Sequence, residues 1–488
     1  MSADNGSNTS SVSARRLESS PIIMLVAATF FMENLDGTVI ATAIPQMARS
    51  FGTHAADMSL GITAYLLTIA VFIPISGWTA DRFGLRRVFA SAIALFTVAS
   101  ALCAFTNTFT EFVAARAIQG IGGAMMVPVG RLAVLRTTPK EGLMRAIAII
   151  TWPGLIAPVI GPPLGGFLTT YFSWRWIFYL NVPLGIIGVI VALRLLDNSR
   201  EGEPRSFDFI GFSLCGAGCA SLLYAMELVG RGGISWTQVG VHLALGSICL
   251  TSAWLHLRHV KNGAIDLSSL KIKTFAVVMG GGSLFRIAIS AVPFLLPLMF
   301  QVGFGMDAFK SGVLTLAVFA GNLAMKIVTT RIVRRFGFRI VLLVNGVVAS
   351  ATLAMTSLLS ATTPGEVIFL ILFLSGLARS LQFTALNTLS FADVPKSQLS
   401  AATSLSSTIQ QLGVGVGVAI GAMSLQLARW MLGHSSGAMT AADFQLAFLF
   451  IAAIGLLGIV DVVGLPRDAG ALVSGHQQPA AVTGSGRS

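Results

Sequence analysis

The stretch GWTADRFGLRR, Gly77 to Arg87, decides how this chain is read. It packs one acid and three arginines into eleven residues between two long apolar runs. Gly77 lets two helices approach closely. Asp81 suits capping or pairing at a helix end, and Gly84 supplies a turn that side chains resist. Arg82, Arg86 and Arg87 hold such a loop at the basic, cytoplasmic face of a membrane.

Composition points the same way. Of 488 residues, 54% are hydrophobic and 11% charged, where soluble domains carry about 25% charged residues. Mean hydropathy is +0.80, in continuous runs of about 20 residues rather than alternating ones, which selects membrane-spanning helices over a barrel. The net charge of +12 invites a nucleic-acid reading, but its placement in loops argues against one. Cys103, Cys215, Cys219 and Cys249 all sit in apolar runs. Cys215 and Cys219 share a helix face without a His or acid, so buried thiols are expected and no metal site. Arg15 and Arg16 before an apolar run imitate a signal peptide. That run is too long and holds Glu33 and Asp36, so it reads as a retained first span.

Fourteen spans are expected, arranged as two pseudo-symmetric six-helix bundles plus two extra helices in an all-α polytopic fold. Residues 1–21 form a cytoplasmic, disordered tail and 22–196 the first bundle. Residues 197–273 form a linker with the two additional spans, 274–465 the second bundle, and 466–488 a second disordered tail. With the N-terminus inside, the even-numbered connections hold nineteen basic residues. The odd ones hold five, namely Arg49, Arg175, Arg231, Lys310 and Arg429. This asymmetry places both termini in the cytoplasm. A weak internal repeat supports two halves: TRIVRRFGFR, Thr330 to Arg339, aligns Arg335-Phe336-Gly337 with Arg82-Phe83-Gly84, and Arg334 replaces Asp81. Related halves around a central site suit alternating access.

A charge at mid-bilayer costs at least about 2.5 kcal/mol, so each one marks a candidate site. The acids are Glu33 and Asp36, three residues apart on one helix face. The bases are Arg116, Arg286, Lys326 and Arg379. Helix rise of about 1.5 Å per residue brings Asp36 and Arg116 to one level. Paired, Asp36 stays ionised; unpaired, it takes up a proton, so the pair is either a proton switch or a permanent packing bridge. Glu33 lies close to the depth of Arg286 and is either the proton carrier, a substrate contact or a satisfied acid. Lys326 either snorkels or lines the cavity. Arg379 lies deeper. Asn387 and Gln301 supply hydrogen bonds either to cargo or between helices.

Longer motifs extend the reading to nearly the whole chain. LDGTVIATAIP (Leu35 to Pro45), RAIQGIGG (Arg116 to Gly123), GLIAPVIGPPLGG (Gly154 to Gly166) and SWRWIFYLNVPLG (Ser173 to Gly185) stand in the first, fourth, fifth and sixth spans. With the Gly77–Arg87 loop they resemble the major facilitator superfamily, in its fourteen-span drug:proton antiporter branch of EmrB/QacA type. FMENLD and the surroundings of Arg286 and Arg379 are similar to MdtD-like members. The resemblance implies proton coupling at Arg116 and an exporter's antiporter motif in span five, at Gly154, Pro158, Gly161, Pro162, Gly165 and Gly166. Ala157 departs from that motif, where a Gly is usual. On residue chemistry alone, the glycines allow close helix crossing and the prolines bend the helix, which suits a seal. Gly417 and Gly421 read as a second close-packed interface.

No GxxxxGK[ST] loop is present, so a proton gradient, without any cofactor, is the expected energy source. One charge crossing roughly 150 mV yields about 3.5 kcal/mol. The expected function is proton-driven export of small amphipathic compounds; the alternative is export of one specific metabolite. No residue cluster suggests an enzyme or receptor. Two acids against four bases within the spans lean towards neutral or weakly acidic cargo. Partners are the lipid bilayer and small molecules. Some EmrB-type relatives use a periplasmic adaptor and QacA-type ones do not, so that partner is open, and a functional monomer in the inner membrane is expected.

Overall fold

A computed structural model describes residues 21–53, 58–197, 207–230, 235–260, 267–306, 308–433 and 439–474. Among these every regular element is a helix. The first half contains α1 (Pro21–Phe51), α2 (Ser59–Phe72), α3 (Ser76–Phe83), α4 (Leu85–Phe105), α5 (Phe109–Thr137), α6 (Leu143–Tyr171) and α7 (Asn181–Leu195). Then come α8 (Phe209–Gly230) and α9 (Trp236–His259). The second half contains α10 (Lys273–Met279), α11 (Gly281–Leu298), α12 (Ala308–Thr356), α13 (Gly365–Ala392), α14 (Leu399–Met431) and α15 (Ala441–Leu457).

Twelve segments among the described residues are long and apolar enough to cross a bilayer. One of them is double. The 49 residues of α12 extend roughly 70 Å at 1.5 Å each, more than two hydrocarbon cores. The chain turns inside it at Gly337, with φ 75° and ψ 163°. Gly84, between α3 and α4, has φ 90° and ψ 141°. Both glycines occupy the positive-φ region that side chains avoid, at the two positions the internal repeat aligns. A count of fourteen further needs α8, whose apolar stretch Phe209–Ala225 is shorter than the rest.

The halves pack by one scheme. α1 lies against α6, and α4 against α5 and α7; in the second half α11 lies against α14, and α12 against α13 and α15. α8 wedges between α2 and α14, with α9 outside it. The α8–α9 pair is tied by His256 Nε2 and Asp208 Oδ1 at 2.9 Å. Other spans are broken where chemistry requires. Pro74 sits in a 3-10 turn, Ile73–Ile75, between α2 and α3. At Gly280, between α10 and α11, the Gly281 N–H donates to Asp461 Oδ2 at 2.8 Å, which satisfies one orphan donor of a helix start.

The halves touch at the end of the molecule that carries Gly84 and Gly337, here the loop end. Ser400 Oγ of α14 donates to the Gly77 carbonyl at 2.8 Å. Ser404 Oγ donates to the carbonyls of Pro74 and Ile73 at 2.6 and 3.2 Å. A Cβ at Gly77 would stand 2.7 Å from the Ser400 carbonyl oxygen, so glycine is required for this approach. Residues 466–474 of the expected second tail are among the described residues, and 475–488 lie outside them. Residues 466–474 are packed: Ala469 and Val473 are buried, and the helical turn Ala471–Ser474 lies against Lys140–Gly142 and α6. Apolar side chains every third or fourth residue hold that segment down.

Candidate functional site

Asp36 of α1 and Arg116 of α5 meet, as helix rise implies. Arg116 Nη1 donates to Asp36 Oδ2 at 2.6 Å, with both side chains fully buried. Their surroundings are as telling as the pair. Asp36 Oδ1 accepts from Gln119 Nε2 at 3.0 Å and from Asn181 Nδ2 at 2.9 Å. Both amides also donate to Ser100 Oγ, at 2.6 and 3.2 Å. Arg116 shares Nη1 with Gln119 Oε1 at 2.6 Å and lies 4.2 Å from the Tyr65 ring centroid. Its Nε and Nη2 have no hydrogen-bond partner. Five helices, α1, α2, α4, α5 and α7, thus converge on one ion pair, and Asp36 is fully hydrogen-bonded in its ionised form.

Glu33 is the contrast. It stands one turn before Asp36 and is half-buried, with Oε2 shielded and without a partner. It does not meet Arg286, despite their similar depth. Among the described residues no basic side chain pairs with this acid.

The next residue, Asn34, opens onto a cavity of about 250 Å³ between the halves. Phe30, Asn34, Arg131, Thr151 and Gly154 line it from one half, and Phe383, Asn387 and Phe391 from the other. By rise along α5 and α13, Arg131 and Asn387 lie roughly 9 Å from the loop end, whereas Arg116 lies near the far end. Along α1, Glu33 stands between the cavity-lining Phe30 and Asn34 and one turn before Asp36.

The other expected cavity residues disperse. Arg286 of α11 is buried and donates Nη2 to Asn387 Oδ1 at 3.1 Å. Lys326 Nζ donates to Thr384 Oγ1 at 2.5 Å. Arg379 faces a separate small void beside Ile289 and Leu353. Gln301 is exposed in a π-helical turn, Met299–Gly303, and takes no part in the cavity; Pro297 just before it disturbs the helical bonding there.

The loop and the glycines act through packing. Asp81 pairs with Arg136 Nη2 at 3.1 Å within its own half, while Arg82 and Arg87 are exposed and Arg86 half-exposed. Within the loop, Gly77 touches the other half, at Ser400. On α6, a Cβ at Gly154 would stand 3.2 Å from Asn34 Nδ2, and one at Gly161 would strike Thr38. These two glycines press α6 onto the helix that carries Glu33 and Asp36. Gly165 is buried, but a Cβ at Gly166 would meet nothing, so Gly166 is not needed for close approach. Pro158 and Pro162 lie within an unbroken helix. In the second half Gly417 and Gly421 press α14 onto Ser290 and Ala291 of α11, as expected.

A sequence profile of the Major Facilitator Superfamily matches residues 26–418. The chain belongs to this superfamily. Within it, the chain is 42% identical over 405 residues, 82% of this chain and 83% of the relative, to a protein named for multidrug resistance, MdtD, of Serratia proteamaculans (strain 568). It is 38% identical over 448 residues, 91% of this chain and 92% of the relative, to the MdtD of Escherichia coli O6:H1 (strain CFT073). Two solved superfamily structures share the fold at 14% identity. The human organic anion transporter MFSD10 has a TM-score of 0.63 and covers 91% of this chain and 99% of that one. The proton:xylose symporter XylE has a TM-score of 0.62 and covers 92% and 96%. The protein is a multi-pass membrane protein of the superfamily.

Several functional groups escaped the sequence reading. Ser100, Gln119 and Asn181 are neutral, so no burial penalty announced them; Asn181 does stand within SWRWIFYLNVPLG. Arg131 is one of the nineteen basic residues that read as loop cations, yet α5 continues to Thr137 and carries it into the cavity.

Proposed function

We propose that the protein is a proton-driven secondary transporter that exports small amphipathic compounds by alternating access, a multidrug efflux function. The observation that carries the reading is the pairing of a saturated acid with an unsaturated one on a single helix, beside a cavity between two halves. Asp36 is paired with Arg116 and accepts from Gln119 and Asn181. Glu33 has a shielded oxygen with no donor. An unpaired buried carboxylate is costly, and binding a proton removes that cost. Glu33 is therefore the proton carrier, and Asp36–Arg116 the fixed charge pair against which it works. Cargo and proton then compete through α1, since Asn34 faces the cavity and Glu33 follows its neighbour in any movement of the helix. The names of the MdtD relatives support a multidrug cargo.

The loop-end contact between Gly77 and Ser400 corresponds to a state closed on that side. With the loop end in the cytoplasm, as its arginines favour, this is the outward-facing state of an inner-membrane exporter with both termini inside. The gradient supplies the energy without a cofactor, and the monomer is the working unit, with or without an adaptor.

Proteoliposomes containing a trapped pH dye test the reading. A transported compound should move protons with the wild-type chain and not with Glu33→Gln. Undiminished proton movement in that variant would remove Glu33 as the carrier.

A further inference from the structure

The cavity carries a charge pattern that the proton network does not use. Arg131 enters it from α5, with Nη1 shielded and without a hydrogen-bond partner. Arg286 approaches from α11 in the other half, buried, with Nε also unpartnered. Arg286 reaches the cavity wall through its hydrogen bond to Asn387, so a cation of each half stands at or beside this space. Among the described residues no acid pairs with either. Asp36 is consumed by Arg116, and Glu33 Oε2 has no hydrogen-bond partner. Two uncompensated cations around a common space are unfavourable unless an anion joins them.

The geometry of Asn387 adds direction. Arg286 Nη2 holds its Oδ1 at 3.1 Å, which turns the amide N–H group away from Arg286, and Asn387 itself lines the cavity. Arg131 and the Asn387 amide are both donors, and the remaining wall has aromatic rings, Phe30 and Phe383. Donors and aromatic rings in one cavity match an anionic head on an apolar body.

We infer that this cavity binds amphipathic organic anions, with a carboxylate or sulfonate head held by Arg131 and Asn387 and an aromatic body between Phe30 and Phe383. The inference rests on the transporter reading and names its cargo class. Arg286 is a positioning residue here, since it orients Asn387 and adds charge. The anion removes the repulsion between a cation of each half, so loading favours the state in which the halves approach at the cavity. Export of an anion and entry of a proton move charge in the same sense, so the membrane potential drives both.

Calorimetry on the full chain in detergent tests the site with 2-naphthoate, its neutral methyl ester and 2-naphthylmethylammonium. The acid should bind at least tenfold more tightly than either analogue. Arg131→Gln should erase that preference while ester binding persists, and Arg131→Lys should retain most of it. Equal or tighter binding of the ammonium compound to the wild-type chain overturns the inference without any variant. So does an acid preference that survives in both Arg131→Gln and Arg286→Gln. Acid binding without proton movement in liposomes would remove the transport reading alone; proton movement driven only by ammonium compounds would remove the anion reading alone.

Discussion

Two carboxyl groups three residues apart on α1 have opposite circumstances, and the difference lies in their neighbours. Asp36 has an arginine and two amides; Glu33 has a shielded oxygen and no donor. Their substitutions should therefore separate. Asp36→Asn leaves the Arg116 charge buried without its counter-ion, which costs roughly 3–5 kcal/mol, so the variant should melt well below the wild type in detergent. Glu33→Gln loses no hydrogen bond and should melt with the wild type while failing to couple. A Glu33→Gln protein that unfolds early would make Glu33 structural instead. The pairing of Asp36 with Arg116 was legible from rise along two helices, because charges declare themselves in an apolar run. The amides that complete the network were not, since a Gln or Asn in a span carries no comparable cost. Asn387 was noticed for its polarity, but its link to Arg286 depends on how α11 and α13 cross.

At the scale of elements, glycine decides where helices stop and how near they lie. The repeat between the two arginine-rich loops is faint in sequence, four positions among ten. It corresponds to one backbone state, φ 90° at Gly84 and φ 75° at Gly337. Alanine at either position should cost about 1–3 kcal/mol, read as a lower melting temperature, and the two losses should be similar. A much smaller loss at Gly337 would mean that the second half tolerates a relaxed turn. On α6 the motif divides by contact: Gly161 is pressed on Thr38, whereas an added Cβ at Gly166 meets nothing. Gly161→Val should abolish transport and Gly166→Ala should leave it near the wild-type rate, as measured by efflux of a fluorescent compound. The sequence could mark the glycine-rich stretch but not which of its faces met α1, because that depends on the rotation of α6 about its own axis.

For the whole molecule, the question is how the loop end opens. Gly77→Val puts a branched side chain against the Ser400 backbone and should hold the halves apart there. A cysteine at position 404, in a chain with its four native cysteines replaced, should then react faster with a thiol reagent applied from the cytoplasmic side. An unchanged rate would mean that the seal lies elsewhere. The turn Ala471–Ser474 clasps the first half from the end of the second, so ending the chain after Leu465 should raise the same rate. A panel of cationic, neutral and acidic compounds, with and without a collapsed gradient, separates broad efflux from export of one metabolite by how many respond.

The contacts that close the loop end across α14 are hydroxyl groups on main-chain carbonyls, from Ser400 to Gly77 and from Ser404 to Pro74 and Ile73. Neither partner bears a charge, so ions in the surrounding solution have no lever on the bond, in contrast to a latch of opposite charges, which salt loosens. These hydroxyl contacts therefore hold alike in dilute and concentrated cytoplasm, and neither changes charge with acidity.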